Sequence, residues 1–252
     1  MEESQETIKK RSFLKPFSKR ILDIILPPHC LLCKNTVEEN GSLCSSCWSD
    51  MDFISKTSCS ICSTPFEFDV GEDSLCASCI KERPIYDRSK TVFIYNDKSR
   101  KLITGFKYED KIHAAKSFAK WLFTTGKDLV EESDLIIPVP LHRIRLFTRR
   151  YNQSSLIAAE LAKQVYLPVA HDVLIRKKNN KPQASLPRNQ RLKNVIGAFA
   201  VKEKCKNLIE GKNILLIDDV MTTSATVSEC AKVLKKNGAA KVNILTLAKT
   251  VR

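Results

Sequence analysis

The sequence predicts an α/β protein: a mostly parallel sheet with helices on both faces, preceded by a small Cys-rich domain. Three observations predict it. From residue 91 onward, short apolar runs alternate with amphipathic helical stretches, the pattern of strands joined by crossover helices. Eight of the ten cysteines fall in four Cys-x-x-Cys pairs between residues 30 and 79. Charge divides the chain at the same place, with three basic and nine acidic side chains in residues 30–82 against 33 and 15 in residues 83–252. The expected organisation is a tail with a short helix over 1–29, a cysteine-rich domain over 30–82 and the α/β domain over 83–252.

Hydrophobic residues make up 43 % of the 252, which excludes a wholly disordered chain. The longest apolar runs, residues 214–217 and 135–141, fall far short of the roughly 20 residues that cross a bilayer. The apolar patch over 21–26 is broken by Asp23 and has no small-residue cleavage site after it. A cytoplasmic protein with no membrane insertion is therefore expected. In that compartment paired cysteines bind metal more often than they form disulfides. The net charge of +14 should attract phosphates, nucleotides or nucleic acid to the basic part.

The pairs are Cys30/Cys33, Cys44/Cys47, Cys59/Cys62 and Cys76/Cys79. Zinc prefers four thiolates in a tetrahedron, and two knuckles supply two ligands each. Eight cysteines thus fit two structural sites, each with four ligands and no open position for catalysis. Iron–sulfur ligation is the alternative, but the tight three-cysteine clusters of bacterial ferredoxins are missing. Spacing does not fix which knuckles share a metal; sequential pairing closes the shorter loops and is preferred. A segment this small and polar needs metal to fold. Each four-thiolate zinc site adds a formal −2, so the region becomes more acidic on loading. A docking or scaffolding role toward a protein partner suits that charge better than nucleic-acid binding. Cys205 and Cys230 are single and read as buried or incidental thiols.

Within the α/β part, residues 91–95 read as a strand, followed by helical periodicity over 99–106 and 113–129. Residues 134–139 form a strand ending in prolines, and 153–165 a helix with Leu156, Ala159, Leu161 and Ala162 usable for one face. Short strands follow at 172–175 and 197–201, a buried strand at 213–217, a helix at 224–237 and a last strand at 242–247. Ligands bind such sheets at the carboxyl ends of the strands.

The strongest signal lies at one such end. Asp218 and Asp219 follow the apolar run 214–217, where the strand leaves the core. Adjacent carboxylates there need solvent, a cation or hydroxyl donors. Thr222, Thr223, Ser224, Ala225 and Thr226 then enter a helix. Hydroxyls and backbone N–H groups at a helix N-terminus cradle phosphate. Carboxylates for sugar hydroxyls beside a phosphate cradle describe a ribose 5-phosphate site. A plain helix cap needs one such residue, not an acid pair with four hydroxyls. A receiver domain also pairs acids, but after its first strand, whereas here only one strand follows.

This stretch resembles the phosphoribosyl-pyrophosphate motif of type I phosphoribosyltransferases. Further segments resemble the ComF family of competence-related proteins: Pro138 to His142 with Arg145, Arg149 and Tyr151-Asn152-Gln153; Lys181 to Leu186 with Arg191, Asn194 and Gly197 to Phe199; and Phe106-Lys107-Tyr108. A double zinc ribbon ahead of a transferase-like domain is similar to that family's arrangement, and the resemblance covers about residues 24–250. It departs at Ser224 and at Arg150, where glycine is usual.

The resemblance implies a type I phosphoribosyltransferase-like fold, phosphoribosyl pyrophosphate with Mg²⁺ as ligand, and a part in DNA uptake or use. Transfer of a phosphoribosyl group passes through a loosely bonded ribosyl cation, so positioning and stabilisation of the leaving pyrophosphate dominate. Asp218, Asp219 and Arg149 are expected to carry catalysis. Asp218, Asp219, Thr222, Thr223, Ser224, Ala225, Thr226 and Arg145 are expected to hold the ligand. His142 reads as a strand-end cap or ligand contact, not a base. Residues 143–193 hold twelve basic and two acidic side chains, and 177–190 lie where type I enzymes have a mobile hood. Two function classes follow: an enzyme with an unidentified acceptor, or an inactive competence protein that keeps the fold and binds single-stranded DNA along the basic strip. Phe147, Tyr151 and Tyr166 are the strip's only Phe, Tyr or Trp side chains, which limits stacking.

Overall fold

The computed structural model describes residues 27–55, 57–108, 111–142, 151–177 and 195–251. The chain divides after Asp50 into two compact units. The four knuckles, read from sequence as one segment, are thereby split two and two.

In the first unit, Cys30 and Cys33 sit on a tight turn. Cys30 N–H donates to Asn35 O at 2.7 Å, His29 bridges Thr36, and Lys34 takes a left-handed φ of 64°. Cys44 caps helix α1 (Ser45–Ser49), which carries Cys47.

The second unit opens with the same device. Cys59 N–H donates to Thr64 O at 2.8 Å, Ser58 bridges Pro65, and Ser63 has φ 56°. Cys76 caps helix α2 (Ala77–Lys81), which carries Cys79. Then come β1 (Ser89–Ile94), α3 (Asp97–Tyr108), α4 (Ala114–Thr125), α5 (Lys127–Glu131), β2 (Leu135–Pro138) and α6 (Gln153–Val165). After these follow β3 (Leu174–Arg176), β4 (Phe199–Val201), a 3-10 turn (Glu203–Leu208), β5 (Asn213–Met221), α7 (Ala225–Lys236) and β6 (Lys241–Lys249).

The main sheet has the order β1-β6-β5-β2, and all three pairings are parallel. Residues 168–170 extend it beyond β2 through one parallel bridge, Ile136 to Val169. At the opposite edge Ile54 N–H donates to Val92 O, and Phe53 stacks on Phe93 with ring centroids 5.0 Å apart. Helix α4 packs on α6 and β1, and α6 packs on β2 and β5. Helix α7 covers the other face: its Cys230, Ala231 and Leu234 share a core with Ile214, Leu216, Val242 and Ile244. Strand side chains alternate between faces, so one set of positions meets each layer.

Four elements differ from the sequence reading. The helix expected over 113–129 breaks at Gly126, where an added Cβ would lie 2.2 Å from Leu245 Cδ2 in the core. That close approach, not a turn signal, requires the glycine. Strands β3 and β4 do not join the parallel sheet; they pair antiparallel as a separate two-stranded ribbon. Strand β5 runs past Ile217 to Met221, because β6 stays paired with it as far as Lys249.

The second knuckle pair does not fold as a metal-held satellite. Cys59, Ile61, Cys62 and Cys79 belong to the same buried cluster as Leu216 and Ile244. Ser89 N–H donates to Ile61 O at 2.7 Å, and Ser63 Oγ donates to Ser89 O at 2.6 Å. From β6, the buried Lys249 reaches across to donate to Cys62 O and, at 2.8 Å, to Thr64 Oγ1. Among the described residues no helix is long and apolar enough to cross a membrane. Cys205 and Cys230 are both buried, as expected of incidental thiols.

Candidate functional site

The structure gathers the cysteines sequentially: Cys30, Cys33, Cys44 and Cys47 in one cluster, Cys59, Cys62, Cys76 and Cys79 in the other. Four sulfurs each about 2.3 Å from a shared zinc stand about 3.8 Å apart. Cys33 and Cys44 Sγ lie 3.5 Å apart, Cys62 and Cys76 Sγ 3.6 Å, and all ligand atoms within each cluster lie within 4.8 Å of one another. Both sets therefore fit a four-thiolate zinc site. At the second set, the hydrogen bond with Cys59 and the nearby Lys249 ammonium hold the Cys62 thiol down to about 3. The Lys249 ammonium offsets part of the charge that four thiolates bring to this site.

The acid pair lies within the last stretch of β5, not beyond it. Asp218 sits opposite Thr246, and Val220 opposite Ala248. Asp218 Oδ1 accepts from Ser154 Oγ at 3.2 Å and from Asp219 N–H at 2.9 Å. Burial, then the Asp219 charge, push the Asp218 carboxyl up to about 7. Asp219 is held differently: its Oδ2 meets Lys107 Nζ at 2.6 Å, with both side chains mostly covered. One carboxylate is thus neutralised by an ammonium, while its neighbour bears the cost of charge in a partly closed site.

The segment Tyr151-Asn152-Gln153 explains how Lys107 is aimed. Tyr151 Oη donates to Phe106 O at 2.9 Å, and Gln153 Nε2 reaches Lys107 O at 3.5 Å, so both grip the end of α3. Asn152 caps α6 by accepting from Ser154 N–H at 3.2 Å and donates to Val139 O at 3.0 Å, tying the helix start to the end of β2. Sequence reasoning quoted Lys107 and this triplet but assigned them no task, and it missed Ser154. The signal for Ser154 was its place in the first turn of a helix that follows a strand end.

Residues 222–226 run from the end of β5 into the first turn of α7. A small pocket of about 10 Å³ lies between Asp218 and Thr222, Thr223, Ser224, Ala225 and Thr226, which brings those expected ligand residues together. Ser224, the α7 cap, has φ 58° and ψ −5°. A left-handed serine costs about 1–2 kcal/mol, which glycine avoids. Ser224→Gly is therefore expected to raise Tm by a few degrees, and Ser224→Ala to give no gain because it keeps the Cβ. Thermal melts of both variants check this; a lower Tm for Ser224→Gly would mean that the hydroxyl, which faces the buried Tyr86 phenol, outweighs the strain.

His142 follows the end of β2. Arg145 and Arg149 lie outside the described residues, as does most of the basic strip beyond Lys177.

Comparison with known proteins agrees with this layout. A double zinc ribbon domain matches residues 21–85, and a phosphoribosyl transferase domain matches residues 152–251. "Competence protein F" of Haemophilus influenzae is 28 % identical over 227 residues, covering 87 % of this chain and 96 % of that one. "Competence protein ComFC" of Bacillus subtilis is 27 % identical, covering 88 % and 95 %. The chain thus joins a double zinc ribbon to a phosphoribosyl transferase domain, and relatives named as competence proteins match most of its length. "DNA utilization protein YhgH" of Escherichia coli K12 is likewise 28 % identical over 237 residues, covering 90 % of this chain and all of that one. One zinc ribbon stands in a unit of its own and the other shares the core of the phosphoribosyltransferase domain.

Proposed function

We propose that the chain is a ComF protein that binds phosphoribosyl pyrophosphate with Mg²⁺ and serves DNA uptake or the use of incoming DNA. The observation that carries the ligand is the convergence, at the carboxyl end of β5, of Asp218 and Asp219 with the loop over residues 222–226. The 5-phosphate meets the N-terminal turn of α7, where backbone N–H groups have no partner within the helix. The ribose hydroxyls meet the two carboxylates. Lys107 Nζ stands beside Asp219 Oδ2 at 2.6 Å and orients that carboxylate. Mg²⁺ supplies charge for the leaving pyrophosphate, and Arg145 and Arg149 are the side chains proposed to hold that group. The DNA role rests on the names of the relatives. Catalysis, with Asp218, Asp219 and Arg149 as its residues, is the same proposal's stronger form.

The single-stranded-DNA reading is favoured by the basic strip alone. Its stacking capacity is small, because Tyr151 is committed to Phe106 and, of the strip's aromatics among the described residues, only Tyr166 stands free in solvent. One experiment separates the readings. Calorimetry with phosphoribosyl pyrophosphate and Mg²⁺ should show binding in the wild type and none in Asp218→Ala/Asp219→Ala, since the pocket keeps its desolvation cost and loses its acceptors. DNA held by the strip would survive that double substitution. Equal ligand affinity in both proteins would reject the site, and turnover of labelled ligand would establish an enzyme.

A further inference from the structure

The loop after β5 is a thin partition between two spaces in the same compact unit. On one side lies the cradle beside Asp218, of about 10 Å³, the room of about one water. A phosphate group, a central atom ringed by oxygens, does not fit there as the loop stands. On the other side lies a chamber of about 380 Å³. The two spaces share Thr222, Thr223 and Ser224 and no other lining residue. The far wall of the chamber is the second zinc ribbon, around Thr64, Ala77 and Ser78, and the end of β6 adds Lys249, Thr250 and Val251.

The partition is held at its ends and not between them. Met221 O accepts from Thr250 N–H at 3.1 Å, and Ser224 O accepts from Ser228 N–H at 2.8 Å. Thr222 and Thr223 make no backbone hydrogen bond with the described residues. A segment without such bonds opens at little cost. Its last residue, Ser224, has the left-handed φ of 58°, which a serine keeps only while its surroundings enforce it. The chamber is also built to receive polar groups. Thr64, Ser78, Tyr86 and Thr250 line it with hydroxyls and Lys249 with an ammonium, so a threonine moving in finds new hydrogen-bond partners. An apolar chamber would oppose the move with the cost of burying a hydroxyl unpaired.

We propose that residues 222–224 swing back into the chamber when a sugar phosphate binds, so that the cradle widens as the chamber shrinks. The proposal rests on the ribose-phosphate reading above and names a motion that regulates that same site. It gives the second zinc ribbon a part in binding without contact to the ligand, because the ribbon wall sets how far the loop retreats. Apparent affinity then scales with the fraction of molecules in which the loop has moved.

The test fills the chamber and reads the cradle, in the full zinc-loaded chain. Ala77→Trp puts a large side chain at an exposed position of the far wall. It should weaken ribose 5-phosphate binding about tenfold by calorimetry, with zinc content kept. Thr250→Phe fills the same chamber from the end of β6 and should do the same, which keeps the test alive if a tryptophan beside Cys76 disturbs the metal. Relaxation dispersion on the unliganded wild type should show exchange at the amides of residues 222–225 that saturating ribose 5-phosphate removes. Wild-type affinity in both filled proteins, with zinc retained, overturns the retreat, and so does the absence of ligand-sensitive exchange at those amides. Failure of ribose 5-phosphate to bind the wild type overturns the motion together with the reading it rests on.

Discussion

Cys62→Ser is expected to unfold the α/β core, not the zinc ribbon alone. Cys59, Ile61, Cys62 and Cys79 are packed into the cluster that holds Leu216 of β5 and Ile244 of β6. A structural zinc contributes about 10–16 kcal/mol of apparent folding energy, comparable with the whole stability of a typical domain, about 5–15 kcal/mol. Cys44→Ser removes a ligand from the other compact unit and should leave the sheet intact. Each variant should drop from two zinc ions to one by elemental analysis. Amide exchange reports the difference: protection in β5 and β6 should collapse in Cys62→Ser and persist in Cys44→Ser. Unchanged protection in both would mean that the second ribbon is only attached to the core.

The second large effect is on stability against pH. Asp218 has an unfolded carboxyl value near 3.9 and a folded value of about 7. Between these the folded state binds the extra proton. Wild-type stability should therefore fall as pH rises from about 4 to about 7 and stay lowered above. The ceiling on that loss is about 4 kcal/mol, taking the full shift. Asp218→Asn removes the charge, so it should be more stable than the wild type at pH 8 and nearly equal to it at pH 4. Denaturant melts across that range check the sign. A variant that is less stable at pH 8 would show that the carboxylate is satisfied in the folded protein, contrary to its covered place beside Asp219. Stability given up at this position is what a ligand's hydroxyls would restore.

Much of this was legible in the residues. Four Cys-x-x-Cys pairs specified two metal sites, and the preference for short loops assigned the ligands as the structure has them. Helix α6 was placed at its observed limits, but its face was not: Leu161 and Ala162 are buried as expected, whereas Ile157 and Ala158 take the core positions expected of Leu156 and Ala159. The loop over residues 222–226 and the acid pair, which the structure brings together, stood out through the density of hydroxyls and carboxylates after an apolar strand. What escaped depends on contacts between distant segments. Lys249 and Cys62 are 187 positions apart, so nothing local shows that the second ribbon shares the sheet's core. The reach of β5 through Asp218 and Asp219 comes from pairing with β6, which overrides their low strand preference. Lys107 stood out only as part of a segment resembling the ComF family, and its pairing with Asp219 depends on how α3 folds. The short strands β3 and β4 have the composition of sheet members, and only their antiparallel register removes them from it.

The central claim is a place: a sugar phosphate bound between the end of β5 and the start of α7. Backbone amide shifts on titrating the labelled protein with ribose 5-phosphate measure that place directly. The account predicts shifts concentrated at residues 222–226, with smaller ones at Asp218, Asp219 and Lys107, and their loss in Asp218→Ala/Asp219→Ala. Shifts confined to the basic strip over residues 143–193, or unaltered by the double substitution, would contradict it.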